Sequence, residues 1–294
     1  MSFPERPSLG TPPGLGAYLA PGQSSFTDFV TATAPHLLPG RVPEGLAPRV
    51  GVGGGGLAAE LDAPHGTTIV ALKFDDGVVI AGDRRATSGN VIAQRDMEKV
   101  FVTDSHSAVG IAGTAGIALQ MVRLFSVDLE HYEKTEGVTL SFDGKANKLA
   151  GMVQANLGAA LQGFVVVPLF VGYDEHAADP AQAGRIVTYD PVGGRYDEHL
   201  GYHSVGSGSV YARSALKKRH DAAADLPTAI RNALEALYDA ADEDTATGGP
   251  DLTRRLFPVV ISITAADGAV KRPEEEIEAL TRDVVAGRIE NPGG

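Results

Sequence analysis

The stretch Pro64-His65-Gly66-Thr67-Thr68-Ile69-Val70-Ala71-Leu72 divides a chain of 294 residues into two unlike parts. N-terminal to it, residues 1–66 hold ten of the eighteen prolines and twelve of the thirty-six glycines, with no sustained period. C-terminal to it, strand and helix patterns begin at once and run to the end. A Gly-Thr pair at such a junction has a specific chemical use. Cutting the Gly66–Thr67 bond leaves Thr67 carrying both a hydroxyl and a free α-amine, and that pairing makes an activated nucleophile. The chain reads as a precursor organised around Thr67.

The bulk composition bounds the rest. A chain of this length can bury a substantial core. The formal charge is -12, with three basic and five acidic residues in 1–66, so about -10 belongs to the remainder. That acidity argues against a nucleic-acid binder. There is no cysteine, which excludes disulfides, thiol catalysis and thiolate metal sites. No apolar run approaches the roughly 20 residues that span a bilayer, so no membrane association is expected. The N-terminus lacks the basic-then-apolar pattern of a secretory signal, and the expected location is cytoplasmic.

Residues 1–66 are expected to be extended or disordered, with one short helix over 24–30 capped by Ser25 and carrying Phe26, Phe29 and Val30 on one side. The run Gly51-Val52-Gly53-Gly54-Gly55-Gly56 matches G-x-G-x-x-G, but Pro43 and Pro48 stand where the motif needs a strand. It is read as a flexible linker.

Beyond Thr67 the apolar runs 68–74 and 78–83, separated by Asp75-Asp76-Gly77, predict a hairpin. Short strands are expected at 91–93, 100–103 and 108–112. Leu119, Val122, Phe125 and Leu129 then recur at helical spacing and predict a helix over 115–134. A second helix is expected over 144–161, strands over 165–173 and 185–190, and a turn at Gly193-Gly194. Helices over 209–220 and 227–242, a strand over 257–264 and a last helix over 273–287 complete the pattern. Runs of strands alternating with pairs of helices suit an α+β architecture of antiparallel sheets covered by helices.

Eight scattered histidines show no H-E-x-x-H spacing, so no metal site is expected. Ser207 in Gly206-Ser207-Gly208-Ser209 fails the G-x-S-x-G elbow because position 205 is valine. There is no P-loop, and no cofactor is expected. What remains is Thr67 with Asp83, Arg85 and Lys99. Each alone has a structural reading: a strand end, a solvated turn, an exposed strand residue.

Taken together, Thr67-Thr68-Ile69-Val70, Ala81-Gly82-Asp83-Arg84-Arg85, Lys99 and Ile111-Ala112-Gly113-Thr114-Ala115-Gly116 resemble the catalytic β subunits of the proteasome core particle. The resemblance recurs at Gly206-Ser207-Gly208-Ser209 and Asp244-Thr245-Ala246-Thr247-Gly248-Gly249, and covers nearly all of 67–290. The Pro/Gly-rich leader, Leu129-Glu130-His131-Tyr132-Glu133-Lys134 and Tyr238-Asp239-Ala240-Ala241-Asp242 look like the actinobacterial branch. The resemblance implies an N-terminal-nucleophile hydrolase, a four-layer αββα sandwich over 67–294 preceded by a propeptide over 1–66.

Carried over by position, it makes Thr67 the nucleophile and its freed amine, or a water held by that amine, the base. An α-amine with a pKa of about 7.7–8.0 suits that task. Lys99 would lower that value, Asp83 would hold Lys99, and Arg85 would support the charge network. Gly113 matches the residue whose N–H faces the oxyanion. Ser207, Asp244 and Thr247 match the hydroxyl and carboxylate group around the threonine. The family commonly has serine at the last position, so Thr247 is a mild departure that keeps the hydroxyl. Ala86, Met97, Phe101, Ile111, Ala115 and Leu119 match the pocket for the side chain before the cut bond. Gly66 would permit the tight geometry of self-cleavage and leave its carbonyl unshielded.

The function so implied is a threonine endopeptidase, made as a zymogen and cleaving unfolded proteins inside a compartment. Its expected partners are α subunits and other β subunits in four stacked seven-membered rings. A ring-shaped ATPase acting through the α ring, and substrates tagged by a small protein modifier, are also implied. Three alternatives stand beside this. A simpler bacterial two-ring peptidase usually shows Gly-Asp-Gly-Gln where this chain has Gly82-Asp83-Arg84-Arg85. An inactive structural ring subunit tends to lose some of Gly66, Thr67, Asp83 and Lys99. A small-molecule amidohydrolase of the same fold does not fit the resemblance.

Overall fold

Two acidic turn residues, Asp75 and Asp76, join strands β1 (Thr68–Phe74) and β2 (Gly77–Gly82), which pair antiparallel from Ile69↔Gly82 to Phe74↔Gly77. This hairpin is the centre of the first sheet of a computed structural model that describes residues 66–292. The short helix expected over 24–30, the Gly-rich run and the rest of 1–65 lie outside the described residues.

The chain continues through a ribbon, β3 (Ala86–Ser88) and β4 (Val91–Gln94), to β5 (Val100–Asp104) and β6 (Ser107–Gly113). Two helices follow, α1 (Ala115–Glu136) and α2 (Phe142–Ala155), with a single turn α3 (Leu157–Ala160) behind them. Next come β7 (Val166–Tyr173), β8 (Gly184–Tyr189), β9 (Arg195–Asp197) and β10 (Tyr202–Gly206). The last part is α4 (Ser209–Arg219), α5 (Leu226–Glu243), β11 (Val259–Thr264), β12 (Gly268–Lys271) and α6 (Glu274–Glu290). The first sheet has the order β10-β1-β2-β11-β12, the second β5-β6-β7-β8-β9, and every named pairing is antiparallel.

Three apolar layers explain why these strands read as continuous apolar runs rather than alternating ones. On β1, Val70 and Leu72 pack with Leu216, Ile230, Leu237 and Ile277 of α4, α5 and α6. The alternate residues Ile69 and Ala71 face the other way, against Leu169, Val171 and Ile186 of the second sheet. That sheet turns Val109, Phe170 and Val187 outward against Phe125, Leu129, Leu149 and Val153 of α1 and α2. Both faces of both sheets are therefore covered. The protein is an α+β sandwich of helices, sheet, sheet and helices.

Differences from the sequence reading have local causes. The helix expected over 144–161 ends at Ala155, because Asn156 turns the chain: its side-chain Nδ2 donates to the Phe164 carbonyl at 3.2 Å. It begins earlier, where Ser141 accepts from the Gly144 N–H. Strands β3, β9, β10 and β12 were not anticipated, being three to five residues long. The turn at Gly193-Gly194 is present, with Gly194 O accepting from Asp190 N.

Phe170 is fully buried between Phe125, at 6.0 Å edge-on, and Phe142, at 5.1 Å. Phe170→Ala should therefore destabilise the chain by about 3–5 kcal/mol, read as a lowered urea midpoint with unchanged slope. A midpoint unmoved by the substitution would mean that this layer does not hold the fold.

Candidate active site

The strand register delivers the candidate residues to one end of the sandwich. Thr67 immediately precedes β1, and Asp83 immediately follows β2, where its N–H donates to the Thr68 carbonyl at 3.1 Å. Lys99 precedes β5, and its carbonyl accepts from Ile111 N at 2.9 Å. On the other side of β1, Thr68 pairs with Gly206 at the end of β10, so Ser207 arrives beside Thr67. The loop after α5 supplies Asp244 and Thr247.

Asp83 is the hub. Its Oδ1 accepts from Thr68 N at 2.7 Å and Lys99 Nζ at 2.7 Å, and its Oδ2 accepts from Arg85 N at 2.9 Å and Gly248 N at 2.8 Å. Carboxylate and ammonium are both almost fully buried, at 1% and 3% exposure. Burial pushes the Lys99 ammonium below the ordinary lysine range, and the Asp83 carboxylate opposes that shift. Lys99 uses all three of its N–H donors: on Asp83, on the Gly66 carbonyl at 3.0 Å, and on the Arg85 carbonyl. The Gly66 carbonyl also accepts from Thr67 Oγ1 at 2.6 Å. The hydroxyl of Thr67 and the charge of Lys99 thus meet on one peptide oxygen.

Gly66 holds that peptide in place with a φ of 105°, in the region that disfavours side chains, and a Cβ there would lie 2.5 Å from Thr87 Oγ1. Gly113, also at positive φ, lines the same pocket as Thr67, and a Cβ on it would lie 2.1 Å from the Val165 carbonyl.

A second group of hydroxyls surrounds the first. Gly208 N–H donates to Thr68 Oγ1 at 3.0 Å, which lies 2.6 Å from Thr247 Oγ1, which donates to Asp244 Oδ2 at 2.6 Å. Since Thr247 gives its single proton to Asp244, Thr68 must give its own to Thr247. The row therefore has one direction, ending on a carboxylate. Ser207 Oγ lies 2.6 Å from the same Asp244 oxygen and 3.3 Å from the Thr67 carbonyl, which also accepts from Ser207 N. Arg85 braces the loop by donating through Nη1 to the carbonyls of Thr245 and Thr247.

The structure thus brings together Gly66, Thr67, Asp83, Arg85, Lys99, Gly113, Ser207, Asp244 and Thr247. Beside Thr67 lies a pocket lined by Ala86, Met97, Ile111, Ala115 and Leu119, with Glu98 and Ala118 in addition. Phe101 is not among the residues that line it, although it packs against the same apolar layer as Ile111, Ala118 and Leu119, which do. Thr68 and Gly248 were not singled out from the sequence. A polar residue opening an otherwise apolar strand was the available signal for Thr68. Among the described residues no group of three or more His, Asp or Glu side chains is placed to hold a metal ion.

A threonine directly after a glycine at the head of a strand, beside a buried Asp-Lys pair at one end of a double antiparallel sheet, is the arrangement expected of the N-terminal-nucleophile hydrolase fold. The comparisons narrow this further. The family described as proteasome subunit matches residues 63–251. The chain is 61% identical over 280 residues to the proteasome subunit beta of Saccharopolyspora erythraea, covering 95% of this chain and 94% of that protein. It is 62% identical over 277 residues to that of Saccharomonospora viridis, with 94% of each covered. With that of Rhodococcus jostii it shares 58% over 295 residues, with 98% of each covered. The chain belongs to the proteasome subunit family.

Thr68→Val keeps the size of the side chain and removes the middle of the hydroxyl row. Gly208 N–H and Thr247 Oγ1 then lose a buried partner, a loss of about 1–3 kcal/mol in stability. The expected outcome is a lowered unfolding midpoint. A wild-type midpoint would show that the row carries no load.

Proposed function

We propose that the chain is a proteasome β subunit made as a precursor, in which residues 1–66 are a propeptide and 67–294 a threonine-type endopeptidase. The observation that carries this reading is the convergence of Thr67 Oγ1 and Lys99 Nζ on the Gly66 carbonyl oxygen. In self-cleavage, Thr67 Oγ adds to the Gly66 carbonyl carbon and its proton passes to a water. The ammonium of Lys99 stabilises the negative charge that grows on the carbonyl oxygen. The Gly66–Thr67 C–N bond breaks as the nitrogen takes a proton, leaving Gly66 as an ester on Oγ. Water hydrolyses that ester and leaves Thr67 with a free α-amine.

With Gly66 gone, Lys99 loses one of its three acceptors, and the new amine is the base for Oγ. The same steps then act on a substrate peptide: Oγ takes the acyl group, the amine product leaves, and water frees the enzyme. Asp83 keeps Lys99 in place, Gly113 offers its N–H to the oxyanion, and Ser207, Asp244 and Thr247 hold the hydroxyl network around the new terminus. Arg85 acts through the loop it braces.

The relatives' names as proteasome beta subunits support assembly with α subunits and further β subunits, here proposed as stacked seven-membered rings. A ring ATPase at the α ring, substrates carrying a small protein modifier, and a cytoplasmic location complete the proposal. No helix among the described residues is long and apolar enough to cross a membrane.

Thr67→Ala should leave full-length chains that assemble with the α partner and hydrolyse no fluorogenic peptide. Thr67→Ser should retain part of both activities. Peptide hydrolysis by assembled alanine particles, seen together with intact leaders, would remove Thr67 as nucleophile.

The pocket beside Thr67 is mainly apolar, and its one carboxylate, Glu98, is paired with Lys271. Burying a large apolar side chain there is worth roughly 1.5–3 kcal/mol, whereas a charged one would be desolvated. A peptide-library profile should show cuts after large apolar residues. Dominant cutting after arginine or aspartate would reject the pocket.

A further inference from the structure

Three arginines converge at the feet of the β3–β4 ribbon, outside the pocket beside Thr67. Arg84 and Arg85 lead into β3 and Arg95 follows β4; with Gly248, Gly249, Asp251 and the apolar segment 256–258 they line a separate small pocket of about 30 Å³. In a chain of formal charge -12 such a gathering of cations needs a reason.

The surrounding acceptors do not answer it. Asp251 gives its Oδ1 to the N–H groups of Thr253 and Arg254 and its Oδ2 to Arg254 Nη1, so it serves its own turn. Arg85 directs Nη1 to two loop carbonyls. Arg84 gives Nη2 to the Asp96 carbonyl at 3.1 Å, yet its Nε is buried with no acceptor. Arg95 is exposed and has no polar partner among the described residues. A buried donor left unpaired is unfavourable. Three arginines lining one pocket, with Arg84 Nε and the Arg95 guanidinium left without acceptors among the described residues, match a small ligand that has several acceptor oxygens and more than one negative charge.

We propose that the pocket formed by Arg84, Arg85 and Arg95 binds a phosphate-class oxyanion. A carboxylate, with two oxygens and a single charge, satisfies fewer of these donors. The site is joined to the pocket beside Thr67 through the chain itself. Ala86 follows Arg85 directly, and the Arg84 carbonyl accepts from Met97 N at 3.0 Å; Ala86 and Met97 are both walls of that second pocket. An anion tying the two feet of the ribbon together therefore fixes two walls of the substrate pocket. This coupling rests on the peptidase reading above; the binding itself does not.

The test is calorimetric titration of the full-length chain with inorganic phosphate at constant ionic strength, with acetate in parallel. Saturable phosphate binding is expected, weakened about tenfold or more in Arg95→Gln. It should be unchanged in Arg123→Gln, an exposed residue of α1 that does not line the pocket. Arg95 makes no hydrogen bond or ion pair among the described residues, so its variant should unfold at the wild-type midpoint. Absence of saturable heat, equal weakening in Arg123→Gln, or acetate binding as tightly as phosphate would overturn the site. In the assembled particle, phosphate should lower KM for an apolar peptide at constant kcat, and Arg95→Gln should abolish that shift. An equal shift in Arg95→Gln would overturn the coupling. Particles with no peptidase activity would instead count against the proposed function, with the calorimetry still deciding the site.

Discussion

A lysine ammonium buried to 3% exposure is tolerable only where an opposite charge and further acceptors replace the water it has lost. Asp83 and the carbonyls of Gly66 and Arg85 provide that replacement, and the site is arranged around it. Asp83 in turn accepts from β1, from the loop after β2, and from the Gly248 loop. One carboxylate therefore ties together segments as far apart as 165 residues in sequence. Removing either partner would strand the other as a buried uncompensated charge, a far larger penalty than the net worth of the pair. Such a pair adds little stability over a well-packed apolar substitute, so its presence speaks for chemistry.

The parts of this arrangement that were legible in the sequence are those with a short-range signature. The β1–β2 hairpin shows in two apolar runs around Asp75-Asp76-Gly77, and α1 shows in its helical spacing. Thr67 shows because a glycine precedes it at a sharp change in composition. Asp83 and Lys99 stood out as charged neighbours of Thr67, and the resemblance gave each a role. The misses are long-range. Thr68 looked like an ordinary strand residue because its hydroxyl partner, Thr247, is 179 residues away. Strand β10 is five residues long and only half apolar, and it exists because β1 offers it an edge.

The same distinction separates the two halves of the site. The Asp83–Lys99 pair is built at the ends of adjacent strands, so its geometry follows from sheet register. The Ser207, Asp244, Thr247 and Thr68 row joins a strand end, the loop after α5, and the head of β1. Its precision depends on how the α4–α5 layer seats on the first sheet, through contacts such as Leu216 and Leu237 against Val70 and Leu72. Apolar packing thus enters the chemistry indirectly: it sets the distance between two polar groups that have no covalent reason to meet.

In the proposed precursor, Gly66 serves both the folding of the site and its cutting. Its backbone sits at positive φ, where a side chain would be strained and would also collide with Thr87 and Ala246. The resulting peptide presents its carbonyl oxygen to both Thr67 Oγ1 and Lys99 Nζ, and those two bonds help to satisfy the buried ammonium. The uncleaved junction is therefore part of what stabilises the folded site. In the proposed reaction it is also the first bond broken. Cleavage removes an acceptor from Lys99 just as it creates an amine beside it, so two cationic nitrogens then compete for fewer buried acceptors. Each disfavours the charge of the other. The step that destroys the precursor's stabilising contact thereby lowers the basicity of the new terminus toward the range in which it can take a proton from Oγ and give it up again.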